Sequence, residues 1–270
     1  MDIKQFMKIE GEKPLDVIKG DGGFCSIFRT IGCVGDSLSS GEFEALNEYE
    51  TRTYHDMYEY SWGQFMARTL GSKVYNFSRG GMSAKEYCEG FAEQKGFWDF
   101  EKRCQAYILA LGVNDITKII AGQIELGSIE DVDIKSHGNN KPTFIGYYAK
   151  IIQRLKINQP KAKFFLMTIP RSHNSTEERT KLEDEHCKLL YELAELFDYT
   201  YVLDFRQYAP VYDEEFRRNF FLGGHMNPMG YNLTAKMTMS YIDYIIRNNP
   251  EDFAQVGFIG TPWHNKNAKW

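Results

Sequence analysis

Short apolar runs that end in Gly, Asn or Ser alternate along this chain with segments of helical periodicity. This alternation constrains the fold more than any other feature, because it is the pattern of βαβ units, in which helices cover both faces of a parallel sheet. Five strands are predicted, over residues 28–34, 73–77, 106–111, 163–169 and 200–203. The sequence therefore predicts an α/β fold.

The intervening segments predict amphipathic helices with identifiable starts. Apolar side chains recur at 3.6-residue spacing over residues 56–70. A second helix is expected to begin with a capping box between Ser175 and Glu178. The last helix has Asn227 as its expected N-cap and Pro228 at its first position, where no amide donor is lost.

The length of 270 residues and an apolar content of 43% are ordinary for one globular domain. We expect a single domain over residues 1–270, with 1–27 as an N-terminal extension. Residues 121–142 carry little periodicity and are expected to form an inserted loop, and 249–270 a C-terminal tail.

Charge and composition argue against several classes of partner. A net charge of −5 provides no clustered positive surface for nucleic acid or for an anionic membrane. No stretch approaches the roughly 20 apolar residues that span a bilayer, and the first residues lack the apolar core of a signal peptide. We therefore expect a cytoplasmic protein. The five cysteines include no CxxC pair, so no zinc site or redox dithiol is expected.

The first predicted strand runs into the turn Gly35-Asp36-Ser37-Leu38. In an open α/β sheet the ligand crevice lies at the carboxyl ends of the strands, so the Ser37 hydroxyl is expected to face it. Asp and Ser are also ordinary turn residues, and this segment alone does not separate a nucleophile from a structural turn.

Three further loops support the functional interpretation. Gly81 follows the second strand, where its backbone amide can face developing negative charge. Asn114 lies in Gly112-Val113-Asn114-Asp115 after the third strand, and its side-chain amide is a second donor for an oxyanion. His225 comes just before the last helix and is expected to act as the general base for Ser37.

These four blocks, in this order, resemble the GDSL or SGNH hydrolase family. The resemblance implies a three-layer α/β/α sandwich with a flavodoxin-like parallel sheet of about five strands. It also implies that Ser37 attacks an ester carbonyl while His225 accepts its proton, and that the Ser37 and Gly81 amides and the Asn114 side chain hold the oxyanion. No metal or organic cofactor is implied.

One position departs from the family pattern. Family members usually carry an Asp three residues before the catalytic His, and this chain has Leu222 there. Either another carboxylate or a backbone carbonyl must accept the N–H of the His225 ring, or the enzyme works as a Ser–His dyad. Asp204, Asp213 and Glu214 are candidates only because they are near in sequence.

The leading hypothesis is a serine esterase acting on a small-molecule ester, such as an acetyl group on a sugar. Tyr60 and Arg171 are further candidates for substrate binding. A solvated helix start explains Tyr60 equally well, and a surface Arg in a loop is the commoner explanation for Arg171. The alternative is a ligand-binding protein that keeps the fold without catalysis, suggested by the departure at Leu222.

Overall fold

The computed structural model describes residues 7–260 and contains a five-stranded parallel sheet. Strands are numbered in chain order, and β2 and β3 form a separate hairpin of residues 42–56. The strands of the sheet are β1 (Thr30–Gly35), β4 (Lys73–Asn76), β5 (Ala106–Ala110), β6 (Lys163–Met167) and β7 (Thr200–Leu203). They are arranged in the order β4-β1-β5-β6-β7. This is the flavodoxin-like order, with the first strand inside the sheet, so the predicted fold class is confirmed.

The predicted strands are all present, and each predicted end lies within two residues of the observed one. The strands β5 and β6 are buried on both faces, as expected for a sheet covered by two helical layers. Two short antiparallel pairs lie outside the sheet and were not predicted. They are β2 (Glu42–Leu46) with β3 (Arg52–Asp56), and β8 (Phe221–Leu222) with β9 (His225–Met226).

The helices carry the labels α1 to α11 in chain order. They span Ser37–Ser40, Trp62–Leu70, Ala84–Glu86, Ala92–Gln94, Val113–Ile120, Phe144–Asn158, Glu177–Leu196, Phe205–Tyr208, Glu214–Phe220, Pro228–Asn248 and Pro250–Phe253. A π-helical turn, Tyr87–Phe91, joins α3 to α4.

Two hydrophobic cores lie on opposite faces of the sheet because side chains alternate along each strand. Ile108 of β5 packs in the core that includes α2 and α10. Its neighbour Leu109 packs in the other core, with α6 and α7. The result is a helix, sheet and helix sandwich, as expected.

The helix starts were predicted with mixed success. Asn227 caps α10 by accepting from the Gly230 amide at 3.0 Å, and Pro228 is its first residue, as predicted. The helix expected over 56–70 begins only at Trp62, because residues 52–56 form β3 and Ser61 provides the cap. The capping box at Ser175 is wrong. Thr176 caps α7 instead, accepting from the Arg179 amide at 3.2 Å.

Three segments lie outside the strands and main helices: the loop 121–142 and the two chain ends. The expected inserted loop, 121–142, contains a single 3-10 turn, Ile129–Asp131, in the described structure. Near the N-terminus, Glu12 forms an ion pair of 2.7 Å with Arg247 at the end of α10. The expected tail begins with α11, and its residues 261–270 lie outside the described range. Within residues 7–260, no helix combines the length and apolar character needed to span a membrane.

Candidate active site

Three turns at the carboxyl ends of neighbouring strands meet at the Asn114 side chain. The strands β4, β1 and β5 are adjacent, and the turns that follow them carry Gly81, Ser37 and Asn114. The Asn114 amide nitrogen donates to the Asp36 carboxylate at 3.3 Å and to the Met82 carbonyl at 3.2 Å. One side chain therefore links the turns after all three strands.

Ser37 is the first residue of the short helix α1 and is partly buried. Asp36 caps this helix, accepting from the Leu38 amide at 3.1 Å. The amide of a residue at the first helical position has no acceptor within its own helix. The Ser37 amide therefore makes no hydrogen bond within its own helix, as is required of a donor to a ligand.

Gly81 is the third residue of a tight turn that the Met82 amide closes by donating to the Arg79 carbonyl at 3.2 Å. Its φ of +70° is a conformation that this position requires in a type II turn and that only glycine adopts without cost. The turn lies beside Ser37, because a Cβ on the adjacent Gly80 would lie 3.9 Å from the Ser37 Cβ.

Asn114 begins the helix α5 together with Val113, directly after Gly112. Gly112 has a φ of +145°, and a Cβ there would lie 2.6 Å from the Nε2 atom of His186. His186 is fully buried, and burial lowers its pKa to about 4, so that the ring is neutral. Arg179 of α7 also donates to the Val113 carbonyl at 3.2 Å. The turn of residues 112–114 thus packs on α7.

His225 lies on β9, with its side chain 16% exposed, and contacts a carboxylate through Nδ1. The partner is Glu44 of β2, whose Oε1 lies 2.7 Å from that nitrogen. The same oxygen accepts from the Gly224 amide at 2.8 Å. Tyr54 packs its ring edge-to-face on the imidazole, with the ring centroids 6.4 Å apart.

Glu44 is buried and surrounded by groups that favour its charged form. Burial raises the pKa of its carboxyl, but hydrogen bonds from His225 and Gly224 and the charge of Arg52 outweigh this effect and leave the pKa lowered. The Arg52 Nε lies 3.0 Å from Glu44 Oε2. A second carboxylate, Glu42, approaches Nε2 of His225 at 3.6 Å, beyond hydrogen-bond distance.

The structure places the three carboxylates named from sequence proximity elsewhere. Asp204 caps α8, accepts from Tyr191 at 2.9 Å and bonds Thr168. Asp213 caps α9 by accepting from the Phe216 amide, and Glu214 lies in the first turn of that helix. Their sequence proximity does not bring them to the ring, because helix capping already directs two of them to backbone amides.

Tyr60 and Arg171, the two further candidates for substrate binding, contact other parts of the molecule. Tyr60 packs edge-to-face on Phe43 and on Phe65, behind the β2–β3 hairpin. Arg171 is exposed and lines a separate hollow of about 320 Å³ with Glu183 and Arg206. Their roles in binding remain predictions.

An apolar cavity of about 60 Å³ lies at the carboxyl ends of β1, β5 and β6. Its lining includes residues that neighbour three of the four candidate residues in sequence: Leu38 follows Ser37, Val113 precedes Asn114, and Met226 follows His225. Ile169 and Pro170, beyond β6, complete one side. The four candidate residues themselves do not line this cavity, which lies next to three of them along the chain.

Two buried acids are chain neighbours of the candidate residues: Asp36 precedes Ser37 and Asp115 follows Asn114. Burial raises the pKa of Asp36 to about 6 and that of Asp115 to about 7. Asp115 accepts a hydrogen bond from the Ala84 amide at 2.8 Å, and this contact ties the start of α5 to the start of α3. Over residues 7–260, the His, Cys, Asp and Glu side chains form no group of three suited to holding a metal ion.

Glu44 is the residue of the site that the sequence-based prediction missed. A signal was present, since charged and apolar residues alternate in Glu42-Phe43-Glu44-Ala45 and a polar turn follows at residues 47–50. Alternation of this kind around a turn indicates a β-hairpin. The strand period places Glu42 and Glu44 on one face and Phe43 on the other, against Tyr231.

Comparison with models of known protein families gives one match by sequence. The sequence model of the GDSL-like Lipase/Acylhydrolase family matches residues 31–237. No curated protein is matched by the sequence.

Among solved structures, a family two carbohydrate esterase from Clostridium thermocellum, in complex with cellohexaose, superposes with a TM-score of 0.55 at 15% identity, covering 90% of this chain and 67% of that one. A GDSL-like lipase from Parabacteroides merdae gives 0.53 at 17% identity, covering 80% and 95%. The acetyl xylan esterase AlAXEase gives 0.51 at 17% identity, covering 79% and 99%. At these identities the likeness concerns the fold.

Proposed function

Because the chain belongs to the GDSL-like lipase/acylhydrolase family, we propose that it is a serine esterase that removes small acyl groups, including acetyl groups on carbohydrates. The observation that carries the proposal is the meeting of the Ser37, Gly81 and Asn114 turns through the Asn114 side chain, with Asp36 and Met82 as its acceptors. Family-typical groups from three separate strands are thereby held at one place.

In the first half-reaction the Ser37 oxygen attacks the ester carbonyl and its proton passes to Nε2 of His225. The carbonyl oxygen becomes negatively charged and is stabilised by the Ser37 and Gly81 amides and by the Asn114 amide nitrogen, one of whose two N–H groups turns from Asp36 or Met82 to the oxyanion. The tetrahedral intermediate then expels the alcohol, which takes the proton from His225. An acyl group remains on Ser37.

In the second half-reaction water takes the place of the alcohol. His225 removes a proton from water, the resulting hydroxide attacks the acyl-enzyme, and the same donors stabilise the second oxyanion. The second tetrahedral intermediate then breaks its bond to the Ser37 oxygen, which takes the proton back from His225, and the acid is released. Neither half-reaction requires a group beyond the residues named.

The size of the cavity supports a short acyl group. A cavity of about 150 Å³ holds a benzene ring, so a recess of about 60 Å³ suits an acyl chain of roughly two to four carbons. The carbohydrate part of the proposal rests on relatives in fold, two of which are named as a carbohydrate esterase and an acetyl xylan esterase.

The proposal is tested with a panel of acetylated sugars and p-nitrophenyl esters of increasing chain length, with acid release as the readout. We expect turnover of the short esters in the parent protein and none in Ser37→Ala, with unchanged circular dichroism. A serine-reactive phosphonate should form one adduct, at Ser37. Equal activity in Ser37→Ala and the parent would refute the nucleophile assignment.

The competing hypothesis, a ligand-binding protein without catalysis, predicts a different result in the same experiment. It requires no turnover of any ester and no phosphonate adduct at Ser37. This hypothesis was suggested by the absence of an acid at Leu222. The contact between Glu44 and His225 weakens it, because a carboxylate is present at the ring after all.

A further inference from the structure

We propose that Glu44 supplies the carboxylate that this chain lacks at Leu222, so that the esterase uses a Ser37–His225–Glu44 triad whose acid comes from the β2–β3 hairpin. The inference rests on the proposed function and extends it to a positioning residue. In the family pattern the acid and the histidine share one loop. Here the acid lies on a hairpin that follows the nucleophile directly.

The contact has the geometry of a charge-assisted hydrogen bond. Glu44 Oε1 and His225 Nδ1 are 2.7 Å apart, within the range of N–H to carboxylate bonds. The acid is 4% exposed, so little water competes for the bond. Glu42, the other carboxylate on this face, lies near Nε2 at 3.6 Å and does not compete for Nδ1.

The surroundings fix both the position and the charge of the acid. Gly224 donates to the same oxygen that binds His225, which ties the hairpin to the loop carrying the base. Arg52, on β3, faces the second oxygen at 3.0 Å and favours the ionised form. A carboxylate held in this way cannot turn away from the ring without losing contacts to two other elements.

An anionic partner at Nδ1 has two consequences for the ring. It requires the proton of the neutral imidazole to be on Nδ1, which leaves Nε2 free to accept the Ser37 proton. It also stabilises the imidazolium formed in each half-reaction. Leu222, in contrast, is 46% exposed and pairs with His225 only through the short β8–β9 ladder.

The test compares Glu44→Gln with Glu44→Asp. Glutamine keeps the size and can still accept from Gly224, but it lacks the charge. We expect kcat to fall by roughly 10²–10⁴-fold in Glu44→Gln with little change in KM, as for loss of a triad acid. Glu44→Asp should retain more activity than Glu44→Gln because it keeps the charge. A residue needed only for packing would show the opposite order, since aspartate leaves a gap.

Matched controls are Asp213→Asn and Glu214→Gln, which make the same carboxylate-to-amide change at acids that are near His225 in sequence but do not contact its ring. Asparagine is as good a helix cap as aspartate, so both variants should keep the parent kcat. Thermal melting checks the fold of each variant. Activity of Glu44→Gln within about threefold of the parent, in a folded protein, would overturn the proposal while leaving the esterase assignment intact.

The ring itself gives a readout that is independent of activity. The chain has six histidines, so a ¹⁵N-histidine NMR spectrum is simple enough to assign by substitution. We expect the neutral His225 of the parent to carry its proton on Nδ1, and Glu44→Ala, which removes both carboxylate oxygens, to lose this preference. A neutral ring protonated at Nε2 in the parent would overturn the proposal, even if no Glu44 variant could be purified. Loss of ester turnover in the parent would instead refute the proposed function.

Discussion

Gly112→Ala tests the packing of α7 against the turn of residues 112–114, which carries Asn114. A Cβ at Gly112 would lie 2.6 Å from His186 Nε2, at a backbone φ of +145°. The strained backbone costs about 1–3 kcal/mol and overpacking of a fixed core about the same, so a loss of roughly 2–6 kcal/mol is expected. At about 2–4 °C per kcal/mol, Tm should fall by roughly 5–20 °C.

The matched control is Gly122→Ala. Gly122 also has a positive φ, +67°, but a Cβ there meets nothing within 4 Å. This variant carries only the backbone strain, about 1–2 kcal/mol. Thermal melting of both variants separates the two contributions. Equal losses of Tm would refute the claim that the buried His186 ring holds this turn.

A double-mutant cycle then identifies the obstacle. His186→Ala removes the ring that the new Cβ meets, so Gly112→Ala should cost less stability in that background than in the parent. Because Asn114 is two residues away, we also expect Gly112→Ala to lower kcat. Strict additivity of the two losses would show that the clash is relieved in some other way.

Three further predictions follow from the same contacts. Asn114→Ala should lower kcat by roughly 10²–10³-fold, because its donor acts on charge that develops in the transition state, and a change confined to KM would make Asn114 a substrate-binding residue instead. Leu222→Asp should not raise kcat, since Glu44 already bonds Nδ1 of His225, and a clear rise would contradict the Glu44 assignment. Asp115→Asn should gain stability relative to the parent as pH rises from about 4 to 8. Burial raises the native pKa of Asp115 to about 7, above its unfolded value, so the native parent binds more protons in this interval and loses stability with rising pH. Urea unfolding at several pH values measures the difference, and a gap between variant and parent that does not change with pH would contradict the prediction.

The sequence by itself determined the sheet and the four blocks of the candidate site. Each strand of a buried parallel sheet is a short apolar run, and the turn that follows it is local, so Ser37, Gly81 and Asn114 could be placed at one edge without tertiary information. The start of α10 was also predicted, because capping by Asn227 depends on residues within one turn. Chain order then related His225 to the other three.

Only the tertiary structure decided which acid meets His225. Glu44 and His225 are separated by 181 positions, and their contact depends on how a small hairpin packs against a two-residue strand. Proximity in sequence favoured Asp204 and Asp213, but these side chains cap the helices that they precede. Local patterns specify a strand and its two faces, whereas the neighbour that one face meets is set by packing between distant segments, which no local pattern encodes.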